Sequence, residues 1–223
     1  MPIVAAVRRR APDRIRHDPR LRSAALAAGL IPPRTLHFPE EAALLERLAS
    51  TANRAVEIGV YEGASAARLA QSLPADAELH LIDPFGPQPT ALRAGQRGVA
   101  WASRRVVARA ARGRSVHCVW HIAYSQDVGR RWELPIDLLF IDGDHSEDGT
   151  REDWVQFSPH VRVGGHVAFH DARANVDGMG LPGPTTVVNQ LFGPNGTATD
   201  AWTVVDEVRH TVVVRRNEAP AVV

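Results

Sequence analysis

Short apolar runs recur along the chain, and stretches of helical spacing separate them. Five runs read as strands: Ala55–Ile58, Leu79–Ile82, Val116–Ile122, Ile136–Ile141 and His166–Phe169 after the turn Gly164-Gly165. They are nearly continuous in apolar character, which is the pattern of parallel strands buried on both faces. Helical spacing falls between them. Leu21–Leu30 carries a Gly29 stop, and Glu40 to about Thr51 follows Pro39 and presents Ala43, Leu44, Leu48 and Ala49 on one side. Further helices are expected in the Ala-rich run ending at Leu73, over Val99–Arg112, over Asp148–Phe157 and over Pro184–Phe192. At the end of the chain Trp202–Val205 and Thr211–Val214 are β-rich and joined by a short polar link, which signals an antiparallel hairpin. The pattern predicts an α/β fold, a doubly wound and mostly parallel seven-stranded sheet closed by that hairpin.

Chemistry concentrates where the predicted strands leave the core. Ile136–Ile141 ends in Asp142-Gly143-Asp144-His145, and the next strand ends in His170-Asp171. The carboxyl edge of an open α/β sheet is where ligands bind, so these groups are expected in one crevice. Asp142, Asp171 and His170 have the donor types for a divalent cation, and Asp144 or His145 is left to take a proton.

The first strand runs into Glu57-Ile58-Gly59-Val60-Tyr61-Glu62-Gly63, a glycine turn that opens a helix and so offers backbone N–H groups to a nucleotide. A dinucleotide fingerprint needs glycine where Tyr61 stands, so the ligand expected here has no pyrophosphate. Asp83, ending the second strand, is placed for a ribose diol, and Tyr124 and Ser125, ending the third, for a nucleobase.

Composition narrows the partners. The 223 residues carry a net charge of +1, which sets up no global field toward nucleic acid or a membrane. The single Cys118 excludes an intramolecular disulfide and a cysteine-based zinc site. No run reaches the length of a membrane span, and Met1–Val7 is too short for a signal sequence, so a cytoplasmic location is expected. Residues 1–37 read as an Arg-rich arm and a helix, 38–216 as one domain and 217–223 as a tail. The arm could pack on a sister subunit, making a homo-oligomer.

With these stretches in place, the chain resembles the class I S-adenosylmethionine-dependent methyltransferases, whose fold is Rossmann-like. More narrowly it resembles the small O-methyltransferases for sugars and antibiotics, including macrolide-sugar and cephalosporin-pathway enzymes, which carry Ile-Asp-Gly-Asp-His and Gly-Gly…Phe-His-Asp signatures. The resemblance runs from about Phe38 to Arg216. It implies S-adenosylmethionine as cofactor, with Glu57, Gly59 and Gly63 along its methionine part, Asp83 at the ribose, Ser125 with its neighbour Tyr124 by the adenine, and Tyr61 and Asp142 also binding the cofactor. It implies a divalent ion, Mg2+ or Mn2+, on Asp142, His170 and Asp171. At His170 the relatives often carry an acid, and imidazole favours manganese or zinc over magnesium. His145 matches the base of some relatives and Asp144 that of others.

The expected reaction is methyl transfer to a hydroxyl of a small sugar or secondary metabolite, in which the ion acidifies the hydroxyl and the base removes its proton. Two alternatives stand beside it. One is a non-catalytic cofactor-binding accessory protein; the other is an NAD-dependent oxidoreductase, against which Tyr61 and the terminal hairpin count.

Overall fold

The computed structural model describes residues 18–86, 96–174 and 180–218, with the side chains of residues 96 and 97 left aside. The arm before residue 18, most of the loop expected over 86–98, the centre of the loop over 172–183 and the last five residues lie outside the described part.

Seven strands form one sheet: β1 (Arg54–Ile58), β2 (Glu78–Ile82), β3 (His117–His121), β4 (Ile136–Ile141), β5 (Val161–Phe169), β6 (Trp202–Val208) and β7 (Thr211–Arg216). Their spatial order is β3-β2-β1-β4-β5-β7-β6. The pairs β1–β2, β2–β3, β1–β4 and β4–β5 are parallel. β7 runs antiparallel between β5 and β6. The order reverses between β1 and β4, which makes the carboxyl ends of those two strands the switch point of the sheet.

Seven α-helices are described: α1 (Pro19–Ala27), α2 (Pro39–Ala49), α3 (Ala64–Ser72), α4 (Gln96–Ala110), α5 (Ser125–Gly129), α6 (Glu147–Phe157) and α7 (Pro182–Phe192). Alternate residues of the central strands feed two cores. Ala55, Leu79, Leu81, Leu138 and Phe140 face α2, α3 and α4 through Leu45, Leu69 and Val107. Val56, Ile58, Leu139 and Ile141 face the other layer, built on Trp132, Trp154, Phe157 and Leu191. Both faces are covered, which is why the strand sequences lack polar alternation. α1 packs on α4 through Leu26, Ile31, Ala102 and Val106.

The expected elements are present, with shifted edges. β5 begins at Val161, so Gly164-Gly165 lies inside the strand and not before it. α5 is a short helix where the sequence reads as loop. On α2 the buried face is Glu41, Ala42, Leu44, Leu45 and Ala49, and Ala43 is exposed. The helix is turned so that an acid points inward, because that acid has partners inside the fold.

Candidate active site

The cleft opens at the switch point. Its floor is the glycine turn after β1 and the ends of β4 and β5; its roof is the segment 31–38 between α1 and α2, which crosses the carboxyl edge and brings Arg34, Thr35, Leu36 and His37 over it. Gly59 has a φ of +90°, and a Cβ there would run into the backbone carbonyl of Asp142. The close approach of these two strand ends is thus the local reason for glycine.

The two strand-end motifs do converge. One ligating atom each from Asp142, His145, His170 and Asp171 lies within 4.8 Å of the others. Nδ1 of His170 is 2.9 Å from Oδ1 of Asp142 and 3.5 Å from Oδ2 of Asp171. Nε2 of His145 stands 3.4 Å from Asp142 and 3.3 Å from Asp171. Asp171 adopts a φ of +53°, a left-handed conformation costing on the order of 1 kcal/mol, and its Oδ2 stands beside both His145 and His170.

The electrostatics follow from this crowding. Burial works against charge on Asp142, but the His170 cation and contacts from His145, His170 and His37 hold its pKa well below the usual carboxylate range. Burial likewise opposes the His170 cation, and the charge and contacts of Asp142, then Asp171 and Glu41, outweigh it and push the imidazole up to about 12. His145 is raised too: burial lowers it, and Asp142 and Asp171 more than compensate.

Two further residues belong to this centre and were not legible in the sequence. His37 places Nε2 3.0 Å from Oδ2 of Asp142 and sits edge-on to His170 at a centroid distance of 4.3 Å. Glu41 is fully buried beneath His170, with Oε2 3.5 Å from Nε2 of His170. Glu41 also accepts from the backbone N–H of Phe38 and of His210 and from the Thr211 hydroxyl. Its pKa falls to about 2, because His170 and these donors outweigh the cost of burial. The one sequence signal for Glu41 was an acid three residues beyond the helix start, which reads equally well as a cap.

The remaining expected site residues divide. Gly59, Tyr61, Asp83 and Asp142 line the cleft. Asp83 is buried and accepts from the backbone N–H groups of Val60 and Tyr61 through Oδ2 and of Phe85 through Oδ1, so it also shapes the glycine turn. Glu57 lies under the turn and does not line the cleft; it accepts from Ser65, and burial pushes its carboxyl pKa far up. Gly63, at φ +79°, is the N-cap of α3.

Tyr124 and Ser125 stand at the start of α5 outside the lining residues, with Tyr124 exposed and Ser125 bonded to the buried Asp153. Asp144 is exposed and outside the cleft, and its Oδ1 accepts from the N–H of Ser146 in the turn that starts α6. Of the two residues expected as base, only His145 faces the cleft.

Comparison with known proteins agrees with this architecture. The O-methyltransferase TomG from Streptomyces achromogenes, involved in tomaymycin synthesis and solved with S-adenosylmethionine, is similar over 90% of both chains at 20% identity, with a TM-score of 0.59. The O-methyltransferase from Bacillus cereus, solved with S-adenosylhomocysteine, is similar over 86% of this chain and 88% of that one at 18% identity and a TM-score of 0.56. An rRNA methylase from Streptococcus thermophilus shares the fold at 12% identity over 83% of this chain and all of its own, with a TM-score of 0.53. A family model described as Methyltransferase domain matches residues 56–172, from β1 through the His170-Asp171 strand end and so just over half of the chain. The chain belongs to this methyltransferase domain family, and its fold is that of the class I S-adenosylmethionine-dependent methyltransferases.

Proposed function

We propose that the protein moves a methyl group from S-adenosylmethionine to a hydroxyl of a small molecule, a sugar or a secondary metabolite, with a divalent ion held by Asp142, His170 and Asp171. The observation that carries this reading is the convergence of two strand ends, with four ligating side chains, beside the glycine turn. The set also suits an ion in a second respect. Both nitrogens of His170 are buried and neither makes an aligned hydrogen bond, although carboxylate oxygens stand close to each. With its proton displaced by the ion, the His170 nitrogen would join two carboxylates in a mixed donor set that suits Mn2+ or Zn2+ better than Mg2+.

In this reading each residue has one task. Gly59, Tyr61 and Asp83 seat the cofactor along the turn, and the 31–38 segment excludes water from above. When bound, the cofactor would supply a sulfonium methyl to the acceptor oxygen, with the C–S bond electrons staying on sulfur and the hydroxyl proton leaving. An ion held by Asp142, His170 and Asp171 would supply Lewis acidity that lowers the hydroxyl pKa. His145 faces the cleft beside Asp142 and Asp171 and takes the proton, and their negative charge favours the imidazolium that forms.

The test has two arms. Titration calorimetry with S-adenosylmethionine, NADH and Mn2+ checks the ligands: heat from S-adenosylmethionine and from Mn2+ is expected, and heat from NADH alone refutes the reading. A methyl-release assay over hydroxylated acceptors, with and without chelator, checks the reaction. Turnover that survives complete chelation removes the ion from the mechanism.

A further inference from the structure

We infer that His37, reaching down from the covering segment, is a positioning residue of the metal site: it holds one oxygen of Asp142 so that the other is presented to the ion. This rests on the metal reading above and adds to it a residue from outside the matched family region.

Asp142 divides its two oxygens. Oδ1 is 2.9 Å from Nδ1 of His170 and 3.4 Å from Nε2 of His145, toward the point where the four ligating groups converge. Oδ2 is 3.0 Å from Nε2 of His37. His37 stands outside the converging set, so its part is with the carboxylate and not with the ion. An ionised carboxylate only accepts, so the proton between them sits on Nε2 of His37, which donates. The terminal torsion of an aspartate is broad, and nothing within the side chain selects the oxygen that faces the ion. A donor fixed on Oδ2 makes that selection, as the hydrogen-bond partners of metal ligands do in general.

The donor is itself held in place along its own segment. Phe38, the next residue, donates its backbone N–H to Oε2 of Glu41 at 2.9 Å, and the N–H of His37 donates to the Thr35 hydroxyl oxygen at 3.2 Å. Further back, the backbone N–H of Arg34 donates to Oε2 of the buried Glu62 at 2.6 Å. The His37 side chain is only 7% exposed, so little water competes for its bond to Asp142. The ring also lies edge-on to His170 and to Phe140, at centroid distances of 4.3 and 5.6 Å. If packing were the whole task of that ring, phenylalanine would serve as well as histidine.

Two substitutions in the full chain separate the tasks. His37→Phe keeps a ring and removes the donor, whereas His37→Gln gives up the ring and keeps an N–H at about the reach of Nε2. Titration calorimetry with Mn2+ alone is expected to show His37→Phe weakened by about 10- to 100-fold and His37→Gln within about threefold of wild type. Thermal unfolding without the ion checks that each variant is folded, and His37→Leu, which also lacks a donor, replaces His37→Phe if the phenyl ring unfolds the chain. Unchanged Mn2+ binding in the donor-free variant, or an equal loss in His37→Gln, overturns the inference. Wild-type protein that takes no Mn2+ overturns the metal reading itself, and the inference with it.

Discussion

Oε2 of Glu41 stands 3.5 Å from Nε2 of His170, on the side of the ring opposite the Asp142 contact. The imidazole is thus held between a carboxylate from α2 and one from the end of β4. In the metal reading Glu41 orients His170, so that Nδ1 faces Asp142 and Asp171. Partners of this kind are worth about 10- to 100-fold in metal affinity. Glu41→Gln keeps an acceptor for His210 and Thr211, and it is expected to weaken Mn2+ about tenfold by calorimetry. Thr211→Val, which removes one Glu41 contact without touching His170, is expected to stay within about twofold.

Asp142 lies at the meeting of all three histidine contacts. Asp142→Ala is expected to abolish methyl transfer while S-adenosylmethionine still binds within about tenfold, because acceptor activation and cofactor docking use different residues. Near wild-type turnover in this variant would sink the metal-assisted mechanism.

Gly59→Ala tests the strand-end packing. The added Cβ meets the Asp142 carbonyl and the backbone holds a φ of +90°, so clash and strain add. The cost expected is about 3 kcal/mol or more, a fall in melting temperature on the order of 10 °C for a chain of this size. Gly113→Ala also sits at positive φ, +78°, but with open space around its Cβ. It separates strain alone from strain plus clash and is expected to cost clearly less.

Between pH 7 and 5, one source of acid sensitivity lies away from the cleft. His80 is buried on β2, with Nδ1 3.0 Å from Nε2 of His121 on β3, and Trp132 packs against both rings. Burial lowers the pKa of both. The folded pair stays neutral where the unfolded chain already binds protons, so its contribution is present above about pH 6.5 and is lost as pH falls below it. Asp153 runs the other way, since burial pushes its carboxyl up to about 7. The measurement is therefore the melting temperature of wild type against His121→Gln at each pH. The variant is expected to lose less stability between pH 7 and 5, and parallel curves would refute the assignment.

Legibility differed by element. β1, β2 and β4 could be read because strands buried on both faces leave continuous apolar runs, and the hairpin because its two β-rich segments are close in the chain. The Asp142 and His170-Asp171 ends were legible for the same reason: a polar group just past a buried strand has one edge to occupy. α5 was missed because a helix of five residues leaves little periodicity, and the extent of β5 because its first half is largely exposed.

The order of apolar and polar residues by itself determined the α/β class, the mostly parallel sheet and the pairing of acid with imidazole at two strand ends. Only the tertiary structure decided which side chains meet around the cleft: His37 and Arg34 from the covering segment, Glu41 beneath it from the inward face of α2, and His145, with Asp144 left outside. The physical reason is distance along the chain. Glu41 meets Thr211 170 positions away and His37 meets Asp142 105 positions away, and no local periodicity records a contact that exists only once the sheet has closed.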